Sequence, residues 1–399
     1  MLVRTSELRA FLPSCWRCRA CYKYYAACAI NVEFGGIAPF SFPSISFLAE
    51  GILHGFIKLS KELAPLPFSC TLCGFCGTQC ITLPLHFIWD SPAELIEGIR
   101  SMFIEGGAVP EKISEVLNNL AVTGNPFRFP PSARIEWEDG LTIPVKEFTG
   151  EENGYLLFVG DAAFIEETKS VVRSVALLLN AAGVNYGTLK EKEIDSGNTA
   201  RELGEYGLFE ETVRKNIEIF RERGVKRVIT MSPHDYHVFY TYYPKLGFRF
   251  EEVWHHSQFL SRVITEGKIK PIKEVNKTVT YHDSCILGRY YEIFDAPRNI
   301  IQAIPGVKFV ELKQSRLFAL CCGGGGGRMW YDVPEEPIRK RLSDVRVSHA
   351  REAGAEIITT ACPYCKSMLL ASSNLGETTV KDVAELLAES SLYLGGVSQ

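Results

Sequence analysis

From about residue 154 the chain alternates short, continuously apolar runs with longer stretches whose apolar positions recur every three to four residues. The short runs predict strands at Tyr155–Val159, 225–231, Lys277–His282, Val307–Leu312 and Glu356–Thr360. The longer stretches predict helices at 165–182, 208–223, 284–304 and 335–353. A link near 265–276 separates two rounds of this rhythm. Such alternation argues for a parallel sheet with helices on its faces. The first third reads differently. Residues 1–14 form a short amphipathic lead-in, and helical periodicity surrounds Ser46–Leu63. Residues 91–120 suit two amphipathic helices, with Ser91 as N-cap and Pro92 at the first helical position. Residues 124–150 are proline-rich with little periodicity and read as a linker draped on a surface.

The 399 residues suggest two or three domains. A net charge of −4 gives no electrostatic case for nucleic acid. The most apolar stretch, Ser41–Leu59, is interrupted by Glu50, His54 and Lys58 and makes a poor membrane span. No signal peptide opens the sequence, so a cytoplasmic location is expected, with any membrane attachment left to a partner. The thirteen cysteines change the picture. They group in C-x2-C units, which in a cytosolic chain point to metal rather than to disulfides.

Cys15, Cys18 and Cys21 form a first run, with Cys28 six residues further on; Cys70, Cys73, Cys76 and Cys80 form a second. Two such runs resemble a two-cluster ferredoxin, in which three close cysteines serve one [4Fe–4S] cube and the fourth of each run serves the other. That pattern implies Cys15, Cys18, Cys21 with Cys80, and Cys70, Cys73, Cys76 with Cys28. The first run departs from it, because six residues rather than three precede Cys28 and Tyr25 stands at the usual ligand place. Zinc held by four thiolates is the alternative, with different spacing. The long insert between the runs, with its helical periodicity, looks like the helical ferredoxin domain found in fumarate reductases and heterodisulfide reductases.

A third constellation lies late in the chain. Cys285, the run Cys321-Cys322 followed by five glycines, and Cys362-Pro363-Tyr364-Cys365 give C-x35-CC-x39-C-x2-C. Glycines forfeit backbone entropy and bury no side chain, so this run suits a backbone brought close to an inorganic body. A phosphate loop is the alternative, but the Gly-Lys-Ser/Thr ending is missing. The two rounds of the α/β pattern also superpose as a repeat. Val159-Gly160-Asp161 falls on His282 to Cys285, Asp195-Ser196-Gly197 on Cys321-Cys322-Gly323, and Ser232-Pro233-His234-Asp235 on Cys362 to Cys365. The spacings are 34 against 36 and 36 against 40. Every cysteine of the second round is therefore Asp or Ser in the first, as if the fold were kept and its ligands lost.

The constellation, with Tyr281-His282-Asp283-Ser284-Cys285 before it, resembles the CCG domain of heterodisulfide reductases. The order of parts resembles the HdrD family within those enzymes. The resemblance implies an α/β architecture: a mainly helical two-cluster ferredoxin domain over 1–123, a linker over 124–152, a degenerate CCG-like domain over 153–270 and an intact one over 271–399. It implies one noncubane [4Fe–4S] cluster on Cys285, Cys321, Cys322, Cys362 and Cys365, besides the two cubanes. The implied function is an iron–sulfur oxidoreductase subunit acting on a disulfide, thiol or related sulfur substrate. The alternative is a pure relay in a larger complex with a flavin dehydrogenase or an acyl-CoA or benzoyl-CoA redox enzyme. Cys322 and His282 are the candidates for the chemistry; Gly323, Gly324 and Arg328 are the candidates for supporting the cofactor. His282 reads as a proton donor to sulfur or as a local hydrogen-bonding residue. Arg328 and Arg289 read as cations offsetting cluster charge, or as ordinary surface arginines. His234, His237, His255 and His256 read as buried structural histidines. Expected partners are a flavoprotein, a cytochrome b-type membrane subunit or further iron–sulfur subunits. With an empty first motif, heterodisulfide cleavage between two noncubane clusters is not expected.

Overall fold

A computed structural model describes residues 7–9, 12–13, 18, 28–78, 80, 92–333 and 339–391. Cys15, Cys21 and the expected N-cap Ser91 lie outside these residues.

The α/β expectation is met twice over. Strands β1 (Tyr155–Phe158), β2 (Tyr186–Gly187), β3 (Arg227–Thr230) and β4 (Glu252–His255) form one parallel sheet in the order β2-β1-β3-β4. Strands β5 (Thr278–Tyr281), β6 (Lys308–Phe309), β7 (Ile357–Thr360) and β8 (Thr379–Asp382) form a second in the order β6-β5-β7-β8. Both are parallel throughout, and both pair their strands in the same way. The repeat read from aligned Asp, Ser and Cys residues is thus a repeat of topology. Central strands such as Leu-Leu-Phe of β1 and Ile-Ile-Thr-Thr of β7 are buried on both faces, as parallel strands covered by helices require.

The halves meet through their outer helices. Glu166–Ala181, which follows β1, packs on Val383–Ser390, which follows β8; Asp295–Ala303 packs on His256–Thr265. Leu178, Val263, Ile300 and Leu387 consequently share one core. Two elements differ from expectation. The helix expected over 284–304 breaks: a wide turn at Ile286–Tyr290 is followed by Glu292 at φ 56°, and a new helix starts at Asp295. The proline-rich segment is packed rather than draped. Trp137 and Phe148 are each 1% exposed, and the Phe148 N–H donates to Thr188 O at 2.9 Å, extending the first sheet beyond β2.

Before residue 124 the described residues hold helices and no strand. The principal ones are Phe42–Leu53, Ala93–Glu105 and Glu111–Thr123. The first is shorter than the periodicity around Ser46–Leu63 suggested, because the chain turns at Gly55, φ 75°. Pro92 occupies the N-cap of Ala93–Glu105, one place before the position expected. Among the described residues no helix is long and apolar enough to cross a membrane.

Candidate metal centre

The five late cysteines converge on one buried place. β5 ends at Tyr281 and delivers Cys285; β7 ends at Thr360 and delivers Cys362 and Cys365 at the start of Pro363–Leu370. The Cys321-Cys322 run comes in between from a loop. All five are at most 8% exposed and belong to one apolar cluster. Cys322 Sγ lies 3.4 Å from Cys365 Sγ. Backbone N–H groups point at sulfur: Gly323 to Cys321 at 3.3 Å, Gly324 to Cys322 at 3.5 Å and Cys365 to Cys362 at 3.4 Å. Gly323 and Gly324 thus supply the N–H donors that the glycine run suggested.

The thiols are close enough to share protons, which splits their acidities. A hydrogen bond with Cys321, reinforced by burial, holds the Cys285 thiol well above its usual range. Bonds with Cys321 and Cys365 hold Cys322 well below it. Burial opposes the Cys362 thiolate, but hydrogen bonds from Cys365 and His234 outweigh it and bring its pKa to about 5. A buried knot of five sulfurs fringed by N–H donors suits a soft, thiolate-seeking metal, whose binding would displace the shared protons. Several buried donors still lack an acceptor among the described residues, and one of them belongs to the knot's surroundings. Nη2 of fully buried Arg346 has no hydrogen-bond partner. The residues present therefore fit an iron–sulfur cluster with its sulfide acceptors.

His282 lies in this knot. A ring nitrogen and the sulfurs of Cys322 and Cys365 are all within 4.8 Å of one another. Nδ1 accepts from Arg346 Nε at 3.0 Å. Burial, then the Arg346 charge, pushes the imidazole pKa down to about 3, so in the metal-free chain the ring is neutral.

The second ferredoxin run is pressed against the centre. Cys73 hydrogen-bonds Cys321 and is buried in the same cluster. The glycine run has a second purpose here that its sequence did not disclose. A Cβ on Gly325 would come 2.7 Å from Thr71 O, and one on Gly326 2.5 Å from Cys70 O. Arg100 ties the joint, donating to Pro67 O, Cys70 O, Glu202 O and Gly326 O at 2.6 to 3.1 Å. Arg289 Nε donates to Cys73 O at 2.6 Å and Nη1 to Ala319 O at 2.6 Å. Arg328 is buried, not a surface residue. It pairs with Glu33 at 2.9 Å and donates to Ser69 O, again across this joint. Cys18, Cys28, Cys70, Cys76 and Cys80 are partly exposed.

In the first half the corresponding residues repeat the same hydrogen bonds with oxygen for sulfur. Ser196 Oγ donates to Asp235 Oδ1 at 2.6 Å where Cys322 meets Cys365. The Gly197 N–H donates to Asp195 Oδ1 at 2.6 Å where Gly323 meets Cys321. Tyr364 Oη, from the second half, donates to Asp161 Oδ2 at 2.6 Å. Its counterpart His234 reaches the other way, with Nδ1 2.8 Å from Glu202 Oε1 and a hydrogen bond to Cys362. Sequence reasoning grouped His234 with structural histidines. Its place opposite Tyr364 in the repeat was the available signal. His237, His255 and His256 are buried in structural contacts: with Tyr291, with the N-terminus of His256–Thr265, and with Asp382.

The cysteine-rich CCG domain family matches twice, at residues 158–239 and 279–370. The chain is 30% identical over 397 residues to HdrD of the dihydromethanophenazine:CoB–CoM heterodisulfide reductase of Methanosarcina mazei, covering 95% of this chain and 93% of that one. The chain belongs to the HdrD family. It is also 37% identical to the probable iron–sulfur-binding oxidoreductase FadF of Bacillus subtilis, over 82% of this chain and 46% of FadF. It is 35% identical to the EtfAB:quinone oxidoreductase of Syntrophomonas wolfei, over 80% of this chain and 46% of that protein. It spans about half the length of these two relatives.

Proposed function

We propose that this member of the HdrD family is an iron–sulfur oxidoreductase component that passes electrons between two ferredoxin-type cubanes and a single noncubane CCG cluster. The observation that carries this reading is the contact of Cys73 with Cys321, which joins a ligand of one cubane to a ligand of the CCG centre. Cys285, Cys321, Cys322, Cys362 and Cys365 hold the CCG cluster. Cys70, Cys73 and Cys76 with Cys28, and Cys15, Cys18 and Cys21 with Cys80, hold the cubanes. When bound, the CCG cluster supplies one-electron chemistry and an iron able to take a sulfur ligand. The chain's own residues exclude water from it, aim N–H groups at its sulfurs and fix His282 and His234 beside it.

The terminal substrate in this reading is a disulfide, thiol or related sulfur compound, bound at Cys322 with the first half as the facing wall. Its support is the resemblance to a heterodisulfide reductase component along nearly its whole length. A second reading makes the chain a relay to a flavoprotein or membrane partner. It is favoured by the likeness to FadF and the EtfAB:quinone oxidoreductase, and by the closed, thiol-free first half. Adding thiols or a persulfide to the oxidised protein separates the two. Sulfur chemistry predicts a change in the EPR signal of the CCG cluster alone, lost in Cys322→Ala. Silence across that panel, with all clusters present, leaves the relay.

A further inference from the structure

Arg346 is a fully buried cation with no carboxylate hydrogen-bonded to it among the described residues. Its Nη1 donates to Gln314 O at 2.7 Å and its Nε to His282 Nδ1 at 3.0 Å, both neutral acceptors. Nη2 meets no acceptor among the described residues. The nearby carboxylate, Asp283, is already engaged: Arg298 grips it with two bonds of 2.7 and 2.9 Å, and the Arg316 N–H adds a third. Burying a charge without a bonded counter-ion is unfavourable, and a bare N–H donor adds to that cost. A sequence keeps such a residue where an anion completes it. Asp283 and Glu311 act on Arg346 only at a distance; the cysteine knot is the anionic neighbour with room for it, since Cys365 also acts on the Arg346 charge and, through the ring it holds, Arg346 adjoins Cys322. The other arginines of the site are placed differently. Arg328 is neutralised by Glu33; Arg289 bonds the carbonyls of Cys73, Leu317 and Ala319, and its charge acts on Cys285 and Cys321 at the other end of the knot.

We propose that Arg346 is a cation that compensates the CCG cluster at its Cys322–Cys365 end, with Nη2 left free for cluster sulfide, and that it also orients His282 as an Nε2–H donor to the Cys322–Cys365 sulfurs. The orientation follows from the geometry. Because Arg346 Nε–H donates to Nδ1, the single proton of the neutral ring sits on Nε2. His282 is then no acid in this reading; it supplies a fixed N–H. Both contacts draw charge from the cluster and favour its reduced form. Arg346 and His282 are positioning residues, acting through the cluster.

The proposal rests on the five-cysteine reading, and the test keeps the two apart. The protein is prepared anaerobically, iron is counted, and each cluster's midpoint potential is followed by EPR with the cubanes as internal controls. Wild-type protein with no CCG signal and about eight irons would sink the cluster reading itself. With the cluster present, Arg346→Met should shift the CCG reduction equilibrium at least tenfold toward the oxidised form, about 59 mV for one electron, and leave the cubanes unmoved. His282→Phe should shift it in the same direction. Arg346→Lys, which keeps the charge, should recover most of the Arg346→Met loss. An unchanged potential in Arg346→Met, or an equal shift in Met and Lys variants, overturns the proposal. If Arg346→Met takes up no CCG cluster, loading restored by Lys supports the charge role and equal failure of Lys refutes it.

Discussion

Position by position, the first half writes in oxygen what the second half writes in sulfur. Asp195, Ser196 and Asp235 accept and donate along the same lines as Cys321, Cys322 and Cys365. Carboxylates buried in place of thiols carry a cost that depends on pH. Burial first, and then the charge of Asp161, raises Asp195 to about 7; burial also holds Asp235 well above its usual range. A carboxyl whose folded pKa is raised favours the folded state fully below its unfolded pKa, near 4, and loses that contribution as pH climbs through the folded value. Between about pH 4 and 7 the protein should therefore lose stability, and Asp195→Asn should flatten that slope. Urea unfolding of both proteins across this range checks it; parallel slopes would show that Asp195 stays ionised throughout. The convergence of the five late cysteines was legible because their spacing is conspicuous. Arg346 was not. Its partner His282 is 64 residues away in the chain, and only the fold reveals that no carboxylate is bonded to it among the described residues.

Among the elements, the central strands and long helices announced themselves through apolar runs and helical periodicity. Of the edges, only β6 lay within a predicted run, Val307–Leu312. β2 is two residues long, β4 reads Glu-Val-Trp-His, and β8 reads Thr-Val-Lys-Asp with Thr379 exposed and Lys381 half-buried, so none of these carries a run to notice. The predicted 284–304 helix failed at Glu292, where a left-handed residue interrupts an otherwise suitable pattern. Register between the ferredoxin segment and the glycine run was beyond sequence reading, since backbone carbonyls make it. Arg100 is the test of that joint. Arg100→Leu strips donors from four buried carbonyls and should cost at least about 3 kcal/mol. It should also slow electron exchange between the second cubane and the CCG centre, read by freeze-quench EPR. A variant of undiminished stability and rate would show the joint to be held elsewhere. Gly326→Ala should act in the same direction, because its Cβ has no room before Cys70 O.

As a whole, the molecule is a paired α/β frame whose N-terminal helices Ala93–Glu105 and Glu111–Thr123 pack on the first half, while the Cys70–Cys73 segment reaches the cysteine knot of the second. The packing of outer helices across the halves joins them in one core. That architecture was legible in outline, as a repeat with its ligands replaced. The mutual reach of Tyr364 and His234 was not, because side chains crossing between halves leave no trace in spacing.

The central claim is one CCG cluster in a frame with two places for it, fed by two cubanes. Iron and acid-labile sulfide per chain test it most directly, on anaerobic wild-type protein and on the Cys321→Ser, Cys322→Ser double variant. The account predicts about twelve irons with as many sulfides in the wild type and about eight in the variant, with both cubane signals intact. About sixteen irons would place a cluster on the Asp and Ser residues of the first half. A variant that keeps all the iron of the wild type would take the cluster away from Cys321 and Cys322.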